Sequence, residues 1–222
     1  MATQKKIILY TCIVNNRDRP KKIEYRDDFE YVMFTDKKEI NAPGWDVRPL
    51  VWEHTNDPVR TSRYHKHNPF VLFPKAEYTI WLDATHWAIK SLKPLLTNSD
   101  LLVMKHFSRN SIKEEIKACV NMDSLKTMNE QYQKYLREGY NDNLGMYSTT
   151  CLIRKNSKKI NEFQELWWNQ ICNFSKRDQL SFPYCLWKIQ IKLGIIPGFC
   201  RDKESSFFKM ISHYKKFTRV ML

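Results

Sequence analysis

Asp83 stands at the end of Tyr78-Thr79-Ile80-Trp81-Leu82, and Ala84, Thr85 and His86 follow it. Aromatic, β-branched and apolar side chains in an unbroken run read as a strand buried on both faces. A carboxylate at the carboxyl end of such a strand sits where open α/β sheets bind their ligands. As a hard oxygen donor it suits a divalent cation held against a diphosphate. Its plainer reading is a residue that closes the turn. Asp36 repeats the pattern after Tyr31-Val32-Met33-Phe34-Thr35. It is placed to take hydrogen bonds from a base or ribose, or simply to turn the chain before Lys37 and Lys38. Arg60, Arg63, Lys66 and His67 recur at helical spacing upstream of Asp83. They form a cationic face that could neutralise a diphosphate, or one that is merely solvated.

These residues need elements to hold them. Ile7 to Val14 is a first, largely apolar strand. Val47 to Trp52 is a weaker one, which Pro49 places near an edge. Pro58 to His67 is a helix, with Asp57 as N-cap and Pro58 at the first helical position. Leu92 to Leu96 is a short helix or turn, and Leu101 to Met104 another buried strand. Helices over Ser111–Asn121 and Leu125–Gly139 come next, then a strand at Thr149–Ile153 and an amphipathic helix at Lys158–Phe174. A last helix, Gln179 to Lys192, takes Asp178 as its N-cap, and Ile195 to Leu222 reads as irregular. Strands and helices alternate first and helices dominate later, without internal repeat or linker. That predicts one α/β domain over residues 1–222, with a sheet core and a helical flank.

Composition narrows the function. Hydrophobic residues make up 42% of 222, which supports a core and argues against wholesale disorder. Five glycines leave no phosphate-cradling loop of the P-loop or dinucleotide type. The formal net charge of +13 favours anionic partners. Six cysteines without a C-x-x-C pair fit buried free thiols better than disulfides or a zinc site. The short apolar stretch near the N-terminus is strand-like, so neither a signal peptide nor a membrane span is expected, and the location expected is cytoplasmic.

The chain resembles a small GT-A-type glycosyltransferase, and in particular the glycosyltransferase-like domain family of plant mucilage-related Golgi proteins. Small capsid-decorating glycosyltransferases of large algal DNA viruses are similar in size and plan. The resemblance is carried by Arg177 to Trp187 (RDQLSFPYCLW) and by Phe73 to Asp83, with its F-P pair and Tyr-x-Ile-Trp-x-Asp strand. Isolated matches are Arg63, Lys66, His106, Arg109, Glu115 and His213. It implies a Rossmann-like GT-A domain with a mixed, mostly parallel sheet. It also implies transfer of a sugar from a nucleotide-diphosphate donor, by family habit a UDP-sugar, to a hydroxyl of a glycan or glycoprotein. On that resemblance Thr11, Asp36, Arg63, Lys66 and Asp83 bind the donor, and Asp178 is the general base or a sugar-orienting carboxylate. His106, Arg109 and Gln179 line the sugar or acceptor side, and Asp83 with His213 holds Mn²⁺ or Mg²⁺. One departure weakens the metal: the second carboxylate of D-x-D is Thr85 here. Two other classes compete. A hydrolase on the same fold would lack a G-x-S-x-G or H-E-x-x-H signature. A basic polyanion-binding module would account for the charge but not for acids at strand ends; nucleic acid is not the expected partner.

Overall fold

A computed structural model describes residues 6–202 and 207–213. Seven strands form one sheet in the order β3-β2-β1-β4-β7-β6-β8. They are β1 (Ile7–Ile13), β2 (Glu30–Thr35), β3 (Asp46–Pro49), β4 (Tyr78–Leu82), β6 (Leu101–Lys105), β7 (Tyr147–Lys155) and β8 (Leu193–Ile195). Only β7 runs against its neighbours, pairing antiparallel with β4 and β6. This is the mixed, mostly parallel sheet that the family resemblance implies. The helices are α1 (Pro58–His67), α2 (Pro69–Leu72), α3 (Ile112–Ala118), α4 (Leu125–Arg137), α5 (Lys158–Asn173) and α6 (Asp178–Ile189).

The strand residues divide between two cores by the alternation a pleated strand imposes. Ile8, Tyr10, Trp81 and Leu152 join Phe163, Trp167, Leu180 and Phe182 of α5 and α6 on one face. Leu9, Ile80, Leu82 and Ile153 join Leu92, Leu95 and Phe208 on the other. Tyr10 and Trp81 meet edge to face at 5.2 Å, an arrangement ring quadrupoles favour.

The chain runs outward from β1 to β2 to β3, then returns to lay β4 on the other side of β1. That reversal is a topological switch point, where such sheets bind ligands beyond the carboxyl ends of the strands. Asp36 and Asp83 both stand on that edge. Asn15 and Asn16, directly after β1, carry φ of 53° and 52°. Two successive non-glycine residues in the left-handed region cost backbone energy and cluster at functional sites.

Five expectations are corrected. Asp178 does not cap α6: Arg177 holds that position without a side-chain cap bond, and Asp178 is the first helical residue. The helix also ends at Ile189, short of Lys192. The tail is not wholly irregular, since β8 joins the main sheet and β9 (Phe208–Met210) pairs antiparallel with β5 (His86–Ala88). Strands of three residues carry no readable period. The strand at Thr149–Ile153 is longer at both ends, and the first of the two helices, now α3, is shorter, starting behind its Ser111 cap. No helix among the described residues is long and apolar enough to cross a membrane.

Candidate functional site

Helix α1 is held by local chemistry. The Asp57 carboxylate accepts from the Val59 and Arg60 amides at 3.0 and 3.1 Å, and Pro58 occupies the first turn. Its C-terminal end is then pinned from the sheet. Arg154 of β7, fully buried, donates to the Lys66 carbonyl at 2.6 Å and to the Tyr10 hydroxyl at 2.8 Å. This turns Arg63 and Lys66 toward the carboxyl edge of β4.

There the Lys66 ammonium, 1% exposed, lies 2.7 Å from Asp178 Oδ2 and 3.7 Å from Asp83 Oδ1. Thr149 of β7 accepts from Lys66 at 3.0 Å and donates to Asp178 at 2.8 Å. Arg63 reaches the other Asp178 oxygen at 3.1 Å. Asp83 is fixed by two strands: its amide donates to the Thr150 carbonyl of β7, and its Oδ1 accepts from Trp81 Nε1 of β4 at 2.7 Å. Two carboxylates expected from the sequence and two cations of the α1 face therefore share one cluster.

Asp178 is 1% exposed. Burial alone would raise its pKa, but Arg63, Lys66 and Arg177 hold it far below the carboxylate range. Burial in turn lowers the Lys66 ammonium, against the pull of Asp178 and Asp83. Several cations around one carboxylate settle the balance, and the cluster is ionised. The start of α6 adds helix-end potential that favours the negative charge.

A second cluster adjoins the first through Arg177. Glu115 of α3, fully buried, takes Arg109 Nε at 2.5 Å and Arg177 Nη2 at 2.8 Å. Arg177 also hydrogen-bonds Gln179, whose amide donates to the Tyr147 carbonyl at 2.8 Å. His106 accepts at Nδ1 from the Ser108 and Arg109 amides. Burial and then Arg109 push its pKa down to about 4, so the imidazole is neutral. His106, Arg109 and Gln179 thus share one polar wall.

The remaining expected residues lie nearer β1 and β2. Thr11 is buried, with a hydroxyl that has no hydrogen-bond partner, and it lines a narrow crevice with Leu82, Ala84 and His86. Asp36 is exposed and accepts from the Asn15 amide at 2.7 Å. Beside it a cavity of about 580 Å³ is lined by Asn16, Asp18, Arg19, Pro20, Lys37, Ile40 and Asn41. This cavity adjoins Asp36 rather than Asp178. His213 is half exposed and set against Asp18 at 2.9 Å.

A divalent cation needs carboxylate charge that is not already committed. Asp83 faces both Trp81 and Lys66, and the Thr85 hydroxyl is engaged with His86 Nδ1 at 3.0 Å. Among the described residues no group of three or more His, Cys, Asp or Glu could hold a metal ion. The expected donor set of Asp83 with His213 does not fit Mn²⁺ or Mg²⁺.

The model of the TOD1/MUCI70 glycosyltransferase-like domain matches residues 45–213. The chain belongs to this family. Both clusters and His213 fall within the TOD1/MUCI70 match, whereas Thr11 and Asp36 precede it. Among solved structures, the apo form of WbbM, a bifunctional glycosyltransferase, aligns with 89% of this chain and 39% of its own. Its identity is 11% and its TM-score 0.48, a distant likeness that adds nothing to the fold described above. No curated protein matches.

Sequence reasoning missed Thr149, Arg154 and Trp81 Nε1 as parts of the candidate site. Their partners lie far along the chain or within a strand that reads only as core. For Arg154 a signal existed: a cation inside an apolar strand must be paired.

Proposed function

We propose that the chain transfers a sugar from a nucleotide-diphosphate donor, a UDP-sugar in the first instance, to a hydroxyl of a glycan or glycoprotein. The observation that carries this reading is the Asp83–Lys66–Asp178–Arg63 cluster at the switch point of the sheet, in a chain of a glycosyltransferase-like family.

In this reading the nucleoside lies over the carboxyl ends of β1 and β2. Asp36 meets the base or ribose, and the Thr11 hydroxyl gains its missing partner. Arg63 and Lys66 stabilise the charge that grows on the departing diphosphate. Asp178 fixes those two cations and orients the sugar, the second of the two roles open to it. A general base works best with a pKa near the working pH, and Asp178 lies far below that. His106, Arg109 and Gln179 form the sugar or acceptor wall, where a neutral imidazole and an amide offer hydrogen bonds to hydroxyls. Cys12 and Cys151 do not offer a hydrolase a nucleophile, because burial pushes both thiols well up.

A panel of nucleotide sugars tests the reading by thermal shift, followed by mass detection of transferred product. One donor at a hundred times its Kd raises stability by about 2.7 kcal/mol and labels a glycan acceptor. Hydrolysis of an amide or ester without any nucleotide would instead favour the hydrolase.

A further inference from the structure

We infer that this cleft neutralises the donor's diphosphate with protein cations alone, so that nucleotide binding needs no divalent ion. The inference rests on the nucleotide-sugar reading and deepens it.

Lys66 Nζ lies 3.7 Å from Asp83 Oδ1, on the carboxylate that a metal would use. A dication bound to Asp83 Oδ1 would sit roughly 6 Å or less from that buried ammonium, and the two would repel. Lys66 cannot swing away, because Asp178 and Thr149 hold its head at 2.7 and 3.0 Å. Arg154 and Tyr10 hold its backbone carbonyl.

The same wall carries surplus positive charge. Arg63, Lys66, Arg109 and Arg177 stand against Asp83, Asp178 and Glu115. Arg177 joins the two acidic centres, and Arg201 lies over the Phe107 ring at 4.1 Å, beside His106. Four cations against three carboxylates leave one positive charge, and exposed Arg201 stands close by. Arg63 has donor capacity to spare. Its Nε is buried without a hydrogen-bond partner, while the side chain remains 18% exposed. A planar guanidinium with free donors suits phosphate oxygens.

The test is calorimetric titration of UDP into the full chain, once in EDTA and once with Mn²⁺. Native protein should bind in EDTA within about threefold of its affinity with Mn²⁺, since Mn²⁺ contributes at most weakly. Arg63→Gln should weaken binding about tenfold under both conditions, as loss of a charge-assisted contact does. Asp83→Asn gives opposite signs for the two accounts. With protein cations in charge, it binds inorganic pyrophosphate in EDTA at least as tightly as native protein. With a metal on Asp83, it loses Mn²⁺-dependent binding of UDP. Pyrophosphate separates the charge from any ribose contact that Asp83 makes. UDP binding that is lost in EDTA, restored by Mn²⁺ and abolished by Asp83→Asn overturns the inference while leaving the transferase reading intact. Equal affinity of Arg63→Gln and native protein also overturns it. No UDP binding under either condition, with circular dichroism showing folded protein, overturns the nucleotide-sugar reading together with the inference.

Discussion

Replacing Asp178 by Asn removes one negative charge from a pair that is almost wholly shut off from water. Lys66 is 1% exposed and has Asp178 as its nearest carboxylate, at 2.7 Å. The variant leaves that ammonium facing an amide, with only Asp83 at 3.7 Å to balance it. Breaking a buried pair in this way costs about 3–5 kcal/mol, or roughly 6–20 °C in Tm for a chain of this length. Removing both charges is a milder change, because Lys66→Met with Asp178→Asn leaves no buried ammonium orphaned; Arg63, 18% exposed, loses its ion pair in the Asp178→Asn single and in the double alike. Urea denaturation of native protein, both single variants and the double variant closes a cycle. The double variant should be more stable than the sum of the singles implies, with a coupling of about 2–3 kcal/mol. Asp178→Asn within about 1 kcal/mol of native protein, or a coupling near zero, would refute the claim that these two charges depend on each other.

Other consequences are simpler to check. Acidification should destabilise the fold between about pH 6.5 and 4, above the carboxylate range. Burial depresses His65, His67, His86 and His106 below the usual imidazole value, His106 to about 4. The unfolded chain therefore binds more protons in that window, and stability rises with pH across it. His106→Gln should flatten part of that slope in Tm against pH. A thiol reagent should label exposed Cys172 first, with Cys12, Cys151 and Cys185 protected until unfolding; fast labelling of Cys151 would contradict the packing of β7. Gly194→Ala should lose about 1–3 kcal/mol in denaturant. Its new methyl would stand 2.7 Å from Ser99 Oγ and 3.0 Å from Leu102 Cγ, where β8 meets β6.

What the sequence made legible followed from local rules. The run before Asp83 gave β4 to the residue. Asp57 and Pro58 gave α1, since capping and proline chemistry act within one turn. The Asp178 region shows where local rules stop. An aspartate before an apolar helical stretch reads as an N-cap, yet this one turns inward to Lys66, 112 positions earlier in the chain. Long-range charge pairing overrides the cap. The sequence likewise marked the Arg63–Lys66 face but not its partner Thr149, a hydroxyl on a strand whose neighbours read as core. The short pairs β5 with β9 and β6 with β8 depend on residues brought together by the fold. No period of three residues announces them.

The central claim is that the switch-point edge between β1, β2 and β4 receives a nucleoside diphosphate. A crystal structure of the chain soaked with UDP tests it most directly. The account predicts diphosphate oxygens within hydrogen-bond reach of Arg63, and the nucleoside between Thr11 and Asp36. UDP bound away from that edge, with the Lys66–Asp178 cluster covered by unmoved side chains, would contradict it.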